Sequence, residues 1–370
     1  MLVRDIIEAI ESFAPPALQE EYDNSGFIIG DKTDECSGVL LTVDVTPEVV
    51  HEAKTSGCNL IVSHHPLIFS GIKRLDGSSR QQKAIMAAIR NEISIYAAHT
   101  SLDIAPYGVS QRMASMLGLS DIEPLESKEG TLLKLQVYVP EDCIEIVRDA
   151  LFKAGAGRLG NYDACSFSTA GTGTFRALEG ANPFVGSIGE FHREKEVALQ
   201  MVLPVWRRNE VEKALLNSHP YETPAYEFVA MHNHIPGTGL GAVGTFEAPM
   251  LPGEFIEKVK STFNTPIVRC TRFNPETKIS RLALCGGSGG SLIRKAILSG
   301  AQAYLTSDVK YHDFVDYPDN IIIVDIGHHE SENCSKKIFY DIISEKFPNF
   351  AIRNSQADIN PIIFVSHGYI

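Results

Sequence analysis

Asn59-Leu60-Ile61-Val62-Ser63-His64-His65-Pro66 is the stretch on which the reading of this chain turns. Its apolar run is the length of a buried strand, and the closing proline has no N–H to carry a ladder further. Two imidazoles therefore stand at the carboxyl end of a strand, where open α/β sheets gather their ligands. Side chains of an extended chain alternate, so His64 and His65 suit two ions that each take one imidazole better than one ion that takes both. Taken alone, the pair also suits a plain strand terminus. Segments far downstream make the difference.

Working outward, residues 3–13 carry apolar side chains at helical spacing and stop before Pro15-Pro16. Residues 38–44 read as a strand. Thr46-Pro47-Glu48 supplies an N-cap, a first-turn proline and a favourable charge for a helix to Ser56, and Gly57 suits its C-terminal cap. Beyond the paired histidines come a helix over 79–91 and a strand over 92–96, which delivers His99-Thr100-Ser101-Leu102-Asp103. This β-α-β-α-β alternation predicts a mainly parallel sheet with right-handed crossovers. From residue 241 the same texture returns. A strand leads into Gly286-Gly287-Ser288-Gly289-Gly290, followed by a helix over 291–299 and a strand over 302–305 ending at Thr306-Ser307-Asp308. A further strand over 320–324 ends at Asp325-Ile326-Gly327-His328-His329-Glu330-Ser331-Glu332.

The repeated order predicts an α/β fold of duplicated three-layer lobes with mainly parallel sheets, 1–125 and 235–370, that together form one discontinuous domain. Between them, 126–234 reads β-α-(β)-β-α-β, a ferredoxin-like α+β insertion. Its Gly-rich stretches 155–160 and 171–180 read as flexible loops.

A length of 370 residues fits two domains or one domain with a large insertion. The net charge of -13 speaks against a sequence-independent grip on nucleic acid or anionic lipid. Seven scattered cysteines without a C-x-x-C pair indicate reduced thiols, neither a disulfide frame nor a thiolate zinc site. The start lacks the order of a signal peptide, and no apolar run is long enough for a bilayer. The expected location is cytoplasmic, with no membrane partner.

Glu332 follows His328 by four residues in a helical pattern that continues through Phe339, so imidazole and carboxylate project from one face about one turn apart. His329 and Glu330 are rotated away. With His64, His65 and Asp103 this makes a nitrogen and oxygen set free of sulfur, suited to zinc, manganese or iron in a dinuclear site. Five ligands for two divalent ions leave positions open, as catalytic sites do. Glu332 is thus a catalytic residue as well as a ligand. His99, Asp308 and His312 are candidates to orient ligands or act as acid or base, with His99 equally suited to a satisfied histidine at a strand end. The loop Gly286 to Gly290 matches no nucleotide fingerprint. It reads as a tight turn for close helix packing, with a phosphate cradle as the alternative.

Ser63-His64-His65-Pro66, His99 to Asp103, Thr306-Ser307-Asp308-Val309-Lys310-Tyr311-His312 and Gly327 to Glu332 resemble the motifs of the GTP cyclohydrolase 1 type 2 homologs, or NIF-three-like proteins. The resemblance implies a dinuclear centre in which His65 and Asp103 hold one ion, His64 and His328 the other, and Glu332 bridges. It also implies a homohexameric toroid and, in longer members, an insertion resembling the PII and CutA modules, matched here by His219-Pro220-Tyr221-Glu222-Thr223-Pro224-Ala225-Tyr226. The expected function is metal-dependent hydrolysis of a small nucleotide-like substrate. The rival is a non-catalytic metal-binding protein for storage, delivery or sensing, with a ligand-sensing insertion.

Overall fold

The computed structural model describes residues 1–317 and 321–365. The chain divides into two compact units, Met1–Ser127 with Gly237–Ile370, and Lys128–Pro236.

In the first unit, local sequence signals set the helix starts. Thr46 Oγ1 accepts from the Val49 N–H at the head of Pro47–Thr55 (3.3 Å), and Ser79 Oγ accepts from the Gln82 N–H at the head of Arg80–Arg90 (3.1 Å). Both helices lay apolar faces on the sheet: Val49, Val50, Ala53, Ala84, Ile85 and Ala88 pack with Leu40, Ile61 and Ile95. That sheet has the order Gly26–Ile29, Ser94–Ala97, Leu60–Ser63, Val39–Thr42, Ile352–Asn354. Its last four strands are parallel, and Gly26–Ile29 closes the edge antiparallel. The three central strands, Ser94–Ala97, Leu60–Ser63 and Val39–Thr42, are buried throughout and read as largely apolar runs because both faces are covered.

A second sheet has the order Arg269–Cys270, Ile322–Asp325, Ala303–Ser307, Ile279–Ser288, Ala242–Met250, Leu119–Glu123. Here the expectation of a mainly parallel sheet needs correction. Only the two pairings among Ile279–Ser288, Ala303–Ser307 and Ile322–Asp325 are parallel, and the other three are antiparallel. The β-α-β alternation covers only the middle of this sheet, and strands outside it are free to run the other way. The expected strand start at Asn320 lies outside the described residues. A two-stranded ladder joins Glu126–Ser127 to Gly239–Leu240. The helix expected to continue through Phe339 is instead two: His328–Glu332, then Ser335–Lys346 after a break at Asn333-Cys334.

The second unit runs in the order Leu132–Pro140, Ile144–Lys153, Phe167–Arg176, Phe191–Pro204, Arg208–Ser218, Tyr226–Ala230. Its four strands form an antiparallel sheet with Tyr226–Ala230 and Phe167–Arg176 at the edges. The Gly-rich stretch 171–180 is not simply a loop, since Gly171 and Gly173 lie inside Phe167–Arg176, paired with Glu196 and Glu194. Most of that strand is exposed, so it carries no alternation of apolar and polar residues. Its partner's backbone holds it instead.

No helix among the described residues is long and apolar enough to cross a membrane.

Candidate metal centre

The parallel strands of both sheets in the first unit end in polar tips that converge. Leu60–Ser63 delivers His64 and His65, Ser94–Ala97 delivers His99, Ala303–Ser307 delivers Asp308, and Ile322–Asp325 leads through Gly327 to the helix His328–Glu332.

Each imidazole is fixed through Nδ1. His64 donates to the Ala98 carbonyl (3.0 Å), His65 to Asp44 Oδ1 (2.9 Å), His99 to Asp23 Oδ1 (2.8 Å) and His328 to Asp308 Oδ2 (2.6 Å). A carbonyl or an ionised carboxylate can only accept, so each Nδ1 carries hydrogen and each neutral ring presents its lone pair at Nε2. Those lone pairs meet around Glu332. Glu332 Oε2 lies 2.9 Å from His65 Nε2 and 3.0 Å from His328 Nε2, while Oε1 lies 3.6 Å from His64 Nε2. Asp103 Oδ1 is 3.7 Å from His64 Nε2.

Lone pairs facing carboxylate oxygens at these separations repel unless a positive charge lies between them. In the protein alone, protons supply it. Burial opposes charging of His65, but Asp44 and Glu332 outweigh it and push the ring up to about 10. Hydrogen bonding to Glu332 leads at His328, against burial and with help from Asp308, and pushes that ring up to about 9. For fully buried His64, the carboxylates of Glu332 and Asp103 overcome burial and raise it. Burial would raise Glu332, yet His64, His328 and His65 hold its carboxyl well below the usual range. Asp103 is raised, chiefly by burial.

The same residues fit divalent cations. His64 Nε2 and Asp103 Oδ1 are buried without a hydrogen-bond partner. Orphaned groups of this kind cost about 1–3 kcal/mol each, a penalty that a bound cation removes. His65 Nε2 and His328 Nε2 stand 3.3 Å apart, close to the separation of about 3.3 Å that two nitrogens share on a tetrahedral zinc. Ligand atoms of His65, His328 and Glu332 lie within 4.8 Å of one another, and so do those of His64, His65 and His99.

His65 Nε2 stands beside His328 Nε2, and His64 Nε2 beside Asp103 Oδ1. The alternation of side chains turns His64 toward Ala98 and Asp103, and His65 toward Asp44 and His328. Asp308 reaches His328 Nδ1 from a left-handed backbone position (φ 54°). His329 faces Asp358 (3.7 Å) instead of the cluster. His312 is not brought in: it is exposed on the helix Tyr311–Asp316, its ring 5.6 Å from that of Tyr311. A residue four positions past the strand tip has already left on the next helix.

Sequence reasoning missed Asp44 and Asp23. Asp44 offered a signal, because it lies two residues past the end of Val39–Thr42, the strand beside the one that carries His65. Asp23 offered none, lying in an irregular segment and reaching His99 only through the fold.

The glycine loop proves to be a packing device. The N–H groups of Gly286, Gly287 and Gly289 donate to Ser110, Ser331 and Thr306 hydroxyls and are not free to cradle phosphate. Gly287 has φ +65°, and a Cβ there would stand 2.1 Å from Glu332 Oε1. Gly287→Ala is expected to displace that carboxylate and weaken metal binding about 10–100-fold, the range for disturbing a ligand's support. Gly290→Ala, whose Cβ would meet only the end of the Asp313 side chain at 3.3 Å, is the control. Chelator competition on both variants measures the difference, and equal affinities would show that Gly287 does not support the carboxylate.

The family described as Duf34/NIF3 (NGG1p interacting factor 3) matches residues 1–361. A Halalkalibacterium halodurans protein named GTP cyclohydrolase 1 type 2 homolog is 39% identical over 365 residues, covering 97% of this chain and 98% of its own. A Staphylococcus aureus protein of the same name is 32% identical over 370 residues, covering 99% and 100%. Among solved structures, a Bacillus cereus protein related to NIF3 superposes with a TM-score of 0.85 at 36% identity, with 99% of each chain covered.

Proposed function

The chain belongs to the Duf34/NIF3 family, and from that premise we propose that it is a dinuclear-metal-dependent hydrolase of a small nucleotide-like substrate. The observation that carries this reading is Glu332, whose two carboxylate oxygens address different imidazoles, Oε1 facing His64 and Oε2 facing His65 and His328. That arrangement suits a residue that two cations would share, with His65 and His328 placed to hold one and His64 and Asp103 placed to hold the other. A pair of divalent ions supplies Lewis acidity and lowers the pKa of water.

The chain's own residues do the rest. Asp44 and Asp308 keep hydrogen on Nδ1 of His65 and His328, so that each Nε2 stays aimed inward. His99 is held in the same way by Asp23, whose carboxyl is kept far below the usual range: burial is outweighed by hydrogen bonds from His99, Thr100 and Ser25. Its Nε2 is placed to hold or pass a proton beside His64 and His65. The nucleotide-like class of the substrate rests on the name carried by the relatives.

The β-α-β-β-α-β order and edge-to-edge arrangement of the second unit support a ferredoxin-like insertion. The polar tips shared by two parallel strand runs support duplicated lobes.

The test loads purified protein with zinc, manganese or iron and offers GTP, other nucleotides and phosphoesters. Turnover that chelation removes is the expected result. Full metal occupancy without turnover on any of them would favour the non-catalytic reading, which draws its own support from a cavity in the second unit.

A further inference from the structure

The sheet of the second unit carries helices on one face only. Leu135, Val137, Leu199, Met201 and their neighbours pack with Val147, Leu151, Val211 and Leu215. Side chains alternate, so Tyr138, Glu196 and Ala198 point to the opposite face. There a cavity of about 610 Å³ opens, within the range of small-molecule sites.

Aromatic rings and carboxylates shape it. The Phe175 and Phe184 rings lie 6.1 and 6.3 Å from that of Tyr221, tilted by 59° and 53°, so the three form walls instead of a stack. The Tyr221 hydroxyl donates to Glu196 Oε1 at 2.8 Å, and the Asn182 N–H donates to the Glu222 carboxylate at 3.1 and 3.3 Å. Both carboxylates are thus positioned by neutral groups, and among the described residues no lysine, arginine or histidine lines the cavity. Gly173 makes room for one of them, because a Cβ there would stand 2.0 Å from Glu196 Oε2. An edge strand poor in apolar side chains has here a specific use for its glycines.

We propose that this cavity binds a small organic cation, a quaternary ammonium or protonated amine on an apolar body. Aromatic faces attract a cation through their quadrupoles, and the effect grows as the cation loses water. Two carboxylates without a basic partner in the lining add attraction for that charge and repel anions, which disfavours a nucleotide as occupant. The site is chemically unlike the metal centre, and its ligand does not depend on what that centre does.

The experiment titrates the metal-loaded, full-length protein by calorimetry at constant ionic strength. The probes are choline and 3,3-dimethyl-1-butanol, which share a shape and differ in charge. Saturable choline binding at least about tenfold tighter than that of the neutral alcohol is expected. Glu196→Gln and Glu222→Gln should each narrow the gap, and Phe175→Ala should weaken choline, with metal content unchanged in all three. Equal binding of the two probes, no saturation by choline into the tens of millimolar, or carboxamide variants that bind choline as before would each overturn the proposal.

Discussion

Replacing Glu332 by alanine is expected to leave a protein that retains neither cation of the proposed centre, and whose metal-free form is less stable by about 3–5 kcal/mol at neutral pH. The side chain is only 3% exposed, and its oxygens serve three imidazoles that no other carboxylate reaches in common. Its folded carboxyl titrates well below the ordinary value, so the stabilisation it gives is fully present above the unfolded value of 4.5 and is lost only as pH falls through the folded one. At pH 7 the whole effect is therefore exposed by the substitution. Removing the charge leaves the Nε2 atoms of His64, His65 and His328 without their shared carboxylate, so the rings must shed those protons or hold them unpaired. Asp103→Ala provides the contrast: Asp103 approaches His64 but is not grouped with His328, so its loss should cost one ion equivalent and leave the other. Elemental analysis after dialysis, with thermal unfolding of the chelated proteins, reads both effects. Two tightly held ions in Glu332→Ala would refute the shared role of this carboxylate.

The features legible in the sequence are those with a local cause. A buried run cut off by Pro66 puts His64 and His65 at a strand end whatever surrounds it, and a four-residue step puts His328 and Glu332 on one helical face even though that helix stops at Glu332. Features set by tertiary distance stay hidden. Asp44 and Asp23 are 21 and 76 residues from the rings they hold, and accepting one hydrogen bond leaves no periodic trace. Strand direction is equally silent in Leu119–Glu123 and Ala242–Met250, because the alternation of side chains along a strand reads alike in either sense. His312 shows the opposite failure: proximity in sequence to Asp308 suggests a shared site, but the chain turns outward between them.

Metal affinity is expected to climb steeply between pH 7 and 9, well past the point where a solvent-exposed histidine site levels off near 6.5. A cation takes the Nε2 lone pair, so the proton there must leave first. In the metal-free protein those protons are held to about 10 on His65 and about 9 on His328. At pH 7 both rings are charged, and an ion entering between them releases up to about two protons. Its apparent association constant then rises by up to about two decades per pH unit to pH 9 and one decade from there to pH 10. The sign for stability runs the other way. Folded values above the unfolded one make the protonated rings stabilising below about 6.5, and that contribution fades as pH rises through 9 and 10. Metal-free protein should therefore soften over the window in which metal binding strengthens, and the gap in Tm between the two forms should widen. Calorimetry in buffers of different ionisation enthalpy counts the protons. Asp44→Asn, which removes a carboxylate holding His65 charged, should lower the count toward one and shift that step to lower pH. Affinity already flat above pH 7 without proton release would mean that the cation does not enter between His65 and His328.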